Sequence, residues 1–139
     1  NGYVEESVLA RLYREAPLNG IWEGSGNIMC LDVLRVMKKG PKTVNKVLER
    51  LGNDLGENSS QTIDVLRIAG DVAAADEGSA RILTEQLALT AAAAEMRRSL
   101  PSELADAFIE SRLGRPWRNT YGMMDGRYDA RAIVDFVCP

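Results

Sequence analysis

The spacing of apolar residues along this chain predicts helices rather than strands. Apolar residues recur at helical spacing from Val4 to Arg14, and Pro17 and Asn19-Gly20 then interrupt the pattern. The remaining periodic segments cover residues 42–51, 61–75, 79–97, 102–113 and 129–137. Residues 52–60 and 115–128 show little periodicity and are expected to be loops. Strand-like alternation is sustained nowhere in the sequence, so the pattern predicts an all-α antiparallel helical bundle.

The segment Ile28–Met37 differs from the other helices because apolar residues occur on nearly every face. A helix with this pattern is expected to be buried. Ser25 or Asn27 would be its N-cap, since both side chains offer an oxygen to unpaired backbone N–H groups, and Gly40-Pro41 would end it. Ser102 is expected to cap the helix that covers residues 102–113.

Length and composition limit the kind of protein this chain can be. Its 139 residues, 45% of them hydrophobic, are enough for one core, so residues 1–139 are expected to form one domain. The chain begins Asn1-Gly2-Tyr3 and has neither a cationic start nor an apolar run of membrane-spanning length. The sequence is therefore interpreted as a piece of a longer protein, with no membrane contact.

Net charge and cysteine content further limit the kind of protein that this chain can be. A net charge of −3 argues against a dedicated nucleic-acid binder, so any such contact must come from a local basic patch. The two cysteines, Cys30 and Cys138, do not resemble a disulfide framework, which favours a cytoplasmic setting. Cys30 is expected to serve in packing. Histidine is absent and no zinc-type spacing occurs, so no metal site is expected.

The run Trp22-Glu23-Gly24-Ser25-Gly26-Asn27 is where chemistry is expected. It places the Glu23 carboxylate beside a large aromatic ring, just before a flexible turn and a helix start. Partial desolvation would raise the pKa of this carboxylate and suit it to act as a general base. The helix start would favour a phosphate or a developing oxyanion. The alternative is a helix-entry loop in which Glu23 faces water.

Several motifs in the first part of the chain resemble one known family. Gly2-Tyr3, the acidic pair Glu5-Glu6, the segment Arg11–Ala16 and the segment Ile21–Ile28 follow one another as in the C-terminal signature of acyl-CoA dehydrogenases. These blocks span residues 1 to about 37, and beyond them the helices are compatible with the family without a shared motif.

The resemblance implies a role for each residue of the loop. Glu23 matches the glutamate that abstracts the α-proton of an acyl-CoA thioester while the β-hydrogen passes to FAD as hydride. Trp22 and Gly24 would belong to the substrate site, and Gly2, Ser25 and Asn27 would contact FAD. The resemblance also implies a homotetramer as the full-length assembly. The piece itself is expected to be inactive alone.

The run from Trp22 to Arg35 is similar to the alkylation-adaptive-response (AidB-like) branch of the family. In members of that branch, FAD is kept, dehydrogenase activity is weak, and an extended helical C-terminal domain binds DNA. By this resemblance, residues 1–40 hold the flavin and active-site loop with its buried helix, and residues 41–139 form the extended tail. Three hypotheses follow: part of an enzyme, a DNA-binding module with a vestigial flavin site, and a structural element of a homo-oligomer.

Two groups of basic residues bear on the DNA hypothesis. The first is a basic ridge made of Lys38, Lys39, Lys42, Lys46 and Arg50. The second comprises Arg97, Arg98, Arg112, Arg115 and Arg118, with Trp117 and Tyr121 as aromatic rings that could stack on bases. Phosphate contact is one interpretation of these residues. The other is ordinary solvated surface charge, with the two aromatic residues forming a small satellite core.

Overall fold

A computed structural model of the chain describes residues 1–22, 24–57, 59–114, 124 and 126–137. Helices make up the secondary structure of these residues, and no strand occurs among them. The α-helices are α1 (Leu9–Glu15), α2 (Gly26–Lys39), α3 (Pro41–Leu55), α4 (Ser59–Ala75), α5 (Ala80–Ser99), α6 (Ser102–Arg112) and α7 (Ala130–Val137), with 3-10 helices at Ala16–Gly20 and Glu77–Ser79. The all-α helical prediction is confirmed.

Helix α5 forms the centre of the bundle and contacts α2, α3, α4 and α6. Near its N-terminus, Ala80 and Leu83 pack against Cys30 and Leu34 of α2 and Ala73 of α4. The alanines in this cluster allow the helix backbones to approach closely. Cys30 is therefore part of the core, as the sequence predicted.

Two further apolar clusters complete the core. Leu48 of α3 packs with Ile63 and Leu66 of α4, and Leu87 of α5 lies against them. Toward the C-terminus of α5, Ala93 and Ala94 pack with Leu55 of α3 and with partly buried residues of α6. One side of α5 is thus buried from Ala80 to Ala94.

The predicted boundary at Gly52 was wrong, because α3 continues through this glycine to Leu55. A Cβ atom at position 52 would lie 3.5 Å from Ile63 Cγ1, so the glycine marks a close approach between α3 and α4. The helix instead ends before Gly56, whose φ of +79° is a conformation that glycine adopts easily.

Two predicted helix starts also differ from the structure. Helix α1 begins at Leu9 rather than near Val4. Helix α6 begins at Ser102 itself, so Pro101 occupies the N-cap and the Ser102 side chain does not cap the helix. Proline suits a helix start because the first N–H groups of a helix have no intrahelical partner.

The expected burial of α2 was wrong for most of its surface. Cys30 and Leu34 are buried, whereas the large apolar side chains of Ile28, Met29, Leu31 and Val36 are exposed. The described helices pack against one face of α2, which leaves the other apolar positions uncovered within this part of the chain.

The predicted last helix is confirmed as α7. The Asp129 carboxylate accepts hydrogen bonds from the backbone N–H groups of Arg131 and Ala132, each at 3.0 Å, which satisfies two amides of the first turn. Just before α7, the Tyr128 hydroxyl donates to the Glu110 carboxylate of α6 at 2.9 Å. No helix among the described residues is long and apolar enough to cross a membrane.

Candidate functional site

The segment that leads into the predicted active-site loop is a 3-10 helix at Ala16–Gly20, with Pro17 at its start. The backbone N–H groups of Ile21 and Trp22 both donate to the Leu18 carbonyl at 3.0 Å. This turn holds Trp22 at the surface, where 56% of its area is exposed within this chain. The predicted base Glu23 lies outside the described residues.

Gly24 adopts a φ of +125°, a backbone conformation that residues with a side chain rarely adopt. A Cβ atom at this position would meet nothing closer than Met29 Sδ, at 3.9 Å. Backbone conformation, rather than lack of space, is therefore what requires glycine here.

Ser25 occupies the N-cap of α2, in extended conformation, and its carbonyl accepts a hydrogen bond from the Met29 N–H at 3.2 Å. Of the two predicted N-caps, Ser25 takes the position, but its side chain makes no capping hydrogen bond. The first turn of α2 also carries no acidic side chain. The positive end of the helix dipole is thus uncompensated by its own first turn.

Arg81 of α5 lies beside this helix start. Its Nη2 donates to Oδ1 of Asn27. Its guanidinium also lies alongside Gly26, where a Cβ atom would be 3.4 Å from Nη1. The sequence motifs do not point to this residue, because Arg81 is separated from Asn27 by 54 positions and belongs to no motif.

Gly2 packs against Tyr13 of α1. A Cβ atom at this position would lie 3.0 Å from both Cβ and Cγ of Tyr13, so any larger residue would force the ring to move. The structure thus explains a glycine at this position by close packing.

An apolar groove with a volume of about 670 Å³ begins next to the loop, at Met29, and runs between α2 and α3. Val33 and Val36 line one wall, and Val44 and Val47 line the other. Lys39 and Asp32 are the charged residues on its rim. Met29 and Val36, which are exposed apolar residues of α2, both line this groove.

The predicted basic ridge is divided by ion pairs. Lys38 contacts Glu77 at 3.1 Å, and Arg50 contacts Asp54 at 2.7 Å. The hydrogen bond that Arg50 Nε donates to the Asp54 carboxylate, together with the negative charge of that carboxylate, raises the pKa of Arg50 above its ordinary value. Lys42 and Lys46 are exposed and form no ion pair with the described part of the chain. They share a face of α3 because they are four residues apart.

The described arginines of the second basic group also have interaction partners. Arg97 is paired with Asp106 and Arg98 with Glu95, and Arg112 has an interaction partner as well. Arg115, Trp117, Arg118 and Tyr121 lie outside the described residues. Within residues 1–22, 24–57, 59–114, 124 and 126–137, no cluster of potential metal ligands occurs.

Two comparisons with known proteins show what this chain is similar to. Residues 1–38 match the C-terminal domain of acyl-CoA dehydrogenases, a region that ends within the last turn of α2. The chain is also 40% identical over 109 residues to AidB of Escherichia coli (strain K12), which carries the name of an acyl-CoA dehydrogenase. These similarities support an AidB-like fragment from the C-terminal part of an acyl-CoA dehydrogenase. The resemblance noted in the sequence, including its AidB-like character, is confirmed.

The similarity to AidB extends into the tail of residues 41–139. The AidB match covers 78% of this chain, so it continues beyond the residues that match the acyl-CoA dehydrogenase domain. Acyl-CoA dehydrogenase family member 11 of Caenorhabditis elegans is 39% identical over 62 residues, or 41% of the chain. The matched regions span 20% of AidB and 10% of the nematode protein.

Proposed function

We propose that this chain is the C-terminal part of a FAD-dependent acyl-CoA dehydrogenase-like oxidoreductase of the cytoplasm. It supplies the base Glu23 and part of the flavin and subunit interface. The observation that carries the proposal is the loop Trp22–Asn27, which lies inside the region matching the family and includes Gly24 at a φ of +125°.

In this proposal, Glu23 removes the α-proton of an acyl-CoA thioester. The Glu23 N–H donates to the thioester carbonyl and stabilises the charge that develops on its oxygen. Trp22 forms part of the wall of the acyl site, and the backbone at Gly24 allows the substrate to come close. When bound, FAD would supply the acceptor for the β-hydrogen, which would leave the substrate as hydride.

The start of α2 fits the proposed FAD contacts. Its first turn carries no acidic side chain, so nothing there would repel a phosphate. The Arg81 guanidinium adds positive charge beside Gly26 and Asn27. Ser25 and Asn27 would meet the nucleotide portion of FAD, and Gly2 would meet FAD of a neighbouring subunit.

A raised pKa at Glu23 requires a surrounding of low polarity. Trp22 exposes 56% of its area in this chain, so the described residues leave more than half of this side chain uncovered. The full-length protein must supply the remaining walls. The exposed apolar side of α2 and its groove provide a surface on which other parts of the protein, or other subunits of a homotetramer, can pack.

The test of the proposal is flavin reduction by the full-length protein. We expect the purified protein to carry FAD and its visible absorbance to bleach when acyl-CoA thioesters are added without oxygen. A set of chain lengths is needed, because the loop alone does not select one. A protein that contains FAD and is reduced by none of these thioesters would contradict the dehydrogenase proposal.

A second function, duplex DNA binding by the tail of residues 41–139, is favoured by one observation. Lys42 and Lys46 form an exposed pair of positive charges on one face of α3, without ion pairs among the described residues. Such a pair can contact successive phosphates of a DNA backbone.

Salt dependence distinguishes phosphate contact from simple surface charge. If Lys42 and Lys46 each contact a phosphate, the slope of log K against log salt should be less negative in the double alanine variant by roughly two units. Arg50→Ala is the matched control, because Asp54 already compensates the charge of Arg50. An unchanged slope in the double variant would exclude these lysines from DNA contact.

A further inference from the structure

We infer that Arg81 is a positioning residue that orients the side chain of Asn27 toward FAD. The inference rests on the proposed function for the identity of the ligand. It assigns a role in the active-site region to a residue of the tail, which sequence motifs place in a separate part of the chain.

The geometry at the start of α2 fixes the orientation of the Asn27 amide. Oδ1 accepts the hydrogen bond from Arg81 Nη2, since a guanidinium offers donors only. The Nδ2 group, with its two N–H donors, is therefore the end of the amide left for another partner. Donors at this position suit the phosphate and hydroxyl oxygens of a nucleotide.

Arg81 is itself held in place by its neighbours in α5. Ala80 exposes 2% of its surface and Leu83 exposes 1%, and both pack against Cys30 and Leu34 of α2. Asp76 fixes the turn before this helix, because its carboxylate accepts the Gly78 N–H at 3.0 Å. The backbone next to Arg81 is thus packed against α2, the helix that carries Asn27.

A second contact secures the other end of α2 to the same short segment. Glu77, four residues before Arg81, contacts Lys38 in the last turn of α2 at 3.1 Å. The segment 77–81 therefore reaches both ends of α2, and the helix start has a defined place relative to the tail. Gly26 also allows the Arg81 guanidinium to lie close to the helix start, since a Cβ atom at position 26 would be 3.4 Å from Arg81 Nη1.

Three variants of the full-length protein test this role. Arg81→Ala removes the partner of Asn27. Asn27→Asp keeps an acceptor for Arg81 but removes the two N–H donors. Arg98→Ala is the control, because Arg98 lies on the same helix, is also exposed and has a surface ion pair of its own with Glu95 at 3.1 Å.

Two measurements are made on each variant: the FAD dissociation constant, and amide hydrogen exchange of residues 24–29. For Arg81→Ala we expect faster exchange and roughly tenfold weaker FAD binding, the equivalent of one charge-assisted hydrogen bond. For Asn27→Asp we expect unchanged or slower exchange together with weaker FAD binding. Arg98→Ala should change neither quantity.

The inference is overturned if Arg81→Ala leaves both quantities at their parent values, or if Arg98→Ala changes them equally. It is also overturned if Asn27→Asp binds FAD as the parent does, because the Nδ2 donors would then be unnecessary. A parent protein that binds no FAD would contradict the proposed function. In that case, unchanged exchange in Arg81→Ala would separately reject the positioning role.

Discussion

Backbone conformation requires glycine at position 24, and Gly20 is a suitable residue for comparison. Gly24 has a φ of +125°, whereas Gly20 does not have a positive φ, and a Cβ atom there would meet nothing within 4 Å. Gly24→Ala should therefore lower the free energy of unfolding by about 1–3 kcal/mol, the usual cost of such a strained conformation. Chemical denaturation followed by circular dichroism measures this loss, and Gly20→Ala should show little of it. Equal effects of the two substitutions would contradict the assigned strain.

The proposed role of Glu23 leads to a prediction for the full-length protein. Glu23→Gln keeps the size of the side chain but cannot accept the α-proton. Flavin should remain bound, while the rate of flavin reduction by acyl-CoA falls by about two to four orders of magnitude. Rapid-mixing absorbance measures this rate.

Glu23→Asp is the informative companion variant. Its carboxylate is withdrawn by one methylene, so a trace of activity should remain. Reduction of the Gln variant at the parent rate would show that Glu23 is a loop residue and that the base lies elsewhere in the full-length protein.

The residues of the site differ in how far sequence could predict them. Glycines and the acidic residue of the loop form a contiguous motif, so their spacing carried the signal. Arg81 reaches Asn27 across 54 positions, and this pairing depends on how α5 crosses α2. Sequence spacing alone cannot predict such a contact, because it arises from tertiary packing.

At the scale of elements, apolar periodicity predicted the helices better than it predicted their ends. The sequence predicts a helix end at Gly52, yet this glycine lies inside α3 at a point of close contact with Ile63. The actual end at Gly56 uses positive φ, which sequence does not distinguish from other uses of glycine. Gly52 and Gly56 are equally plausible helix ends in the sequence, and tertiary packing determines that the helix ends at Gly56.

A pair of neighbouring residues tests the packing of α5. Leu83 exposes 1% of its surface in the core shared with α2 and α4, whereas Ile82 exposes 57%. Leu83→Ala should lower the free energy of unfolding by about 2–5 kcal/mol through lost burial and a cavity. Ile82→Ala should cost much less, since its side chain is largely in solvent already. Thermal or chemical denaturation measures both, and similar losses would contradict the assigned crossing of α5 over α2.

For the whole molecule, the all-α fold was predictable because each helix carries its own apolar stripe. The burial of α2 was not predictable in the same way. Apolar residues on every side of a helix indicate that something packs against it, but they do not indicate whether those packing partners lie within this chain. The chain's matches span a fifth and a tenth of AidB and the nematode relative. The uncovered side of α2 is therefore consistent with a surface that the full-length protein buries.

Charge insertion in the groove tests this interpretation. Val36 exposes 66% of its surface and lines the groove between α2 and α3. In the 139-residue chain, Val36→Glu should leave helicity and unfolding free energy nearly unchanged, because little burial is lost. In the full-length protein the same charge would enter an apolar interface, which should weaken subunit assembly or flavin retention.

The control is Ala92→Glu, a charge insertion at an exposed helical position on α5 away from the groove lining. Sedimentation velocity and flavin content should then distinguish the two full-length variants, with Ala92→Glu behaving as the parent. If Val36→Glu also assembles and retains FAD as the parent does, the groove faces solvent in the complete protein. The apolar surface of α2 would then need a different explanation from contact with another subunit or domain.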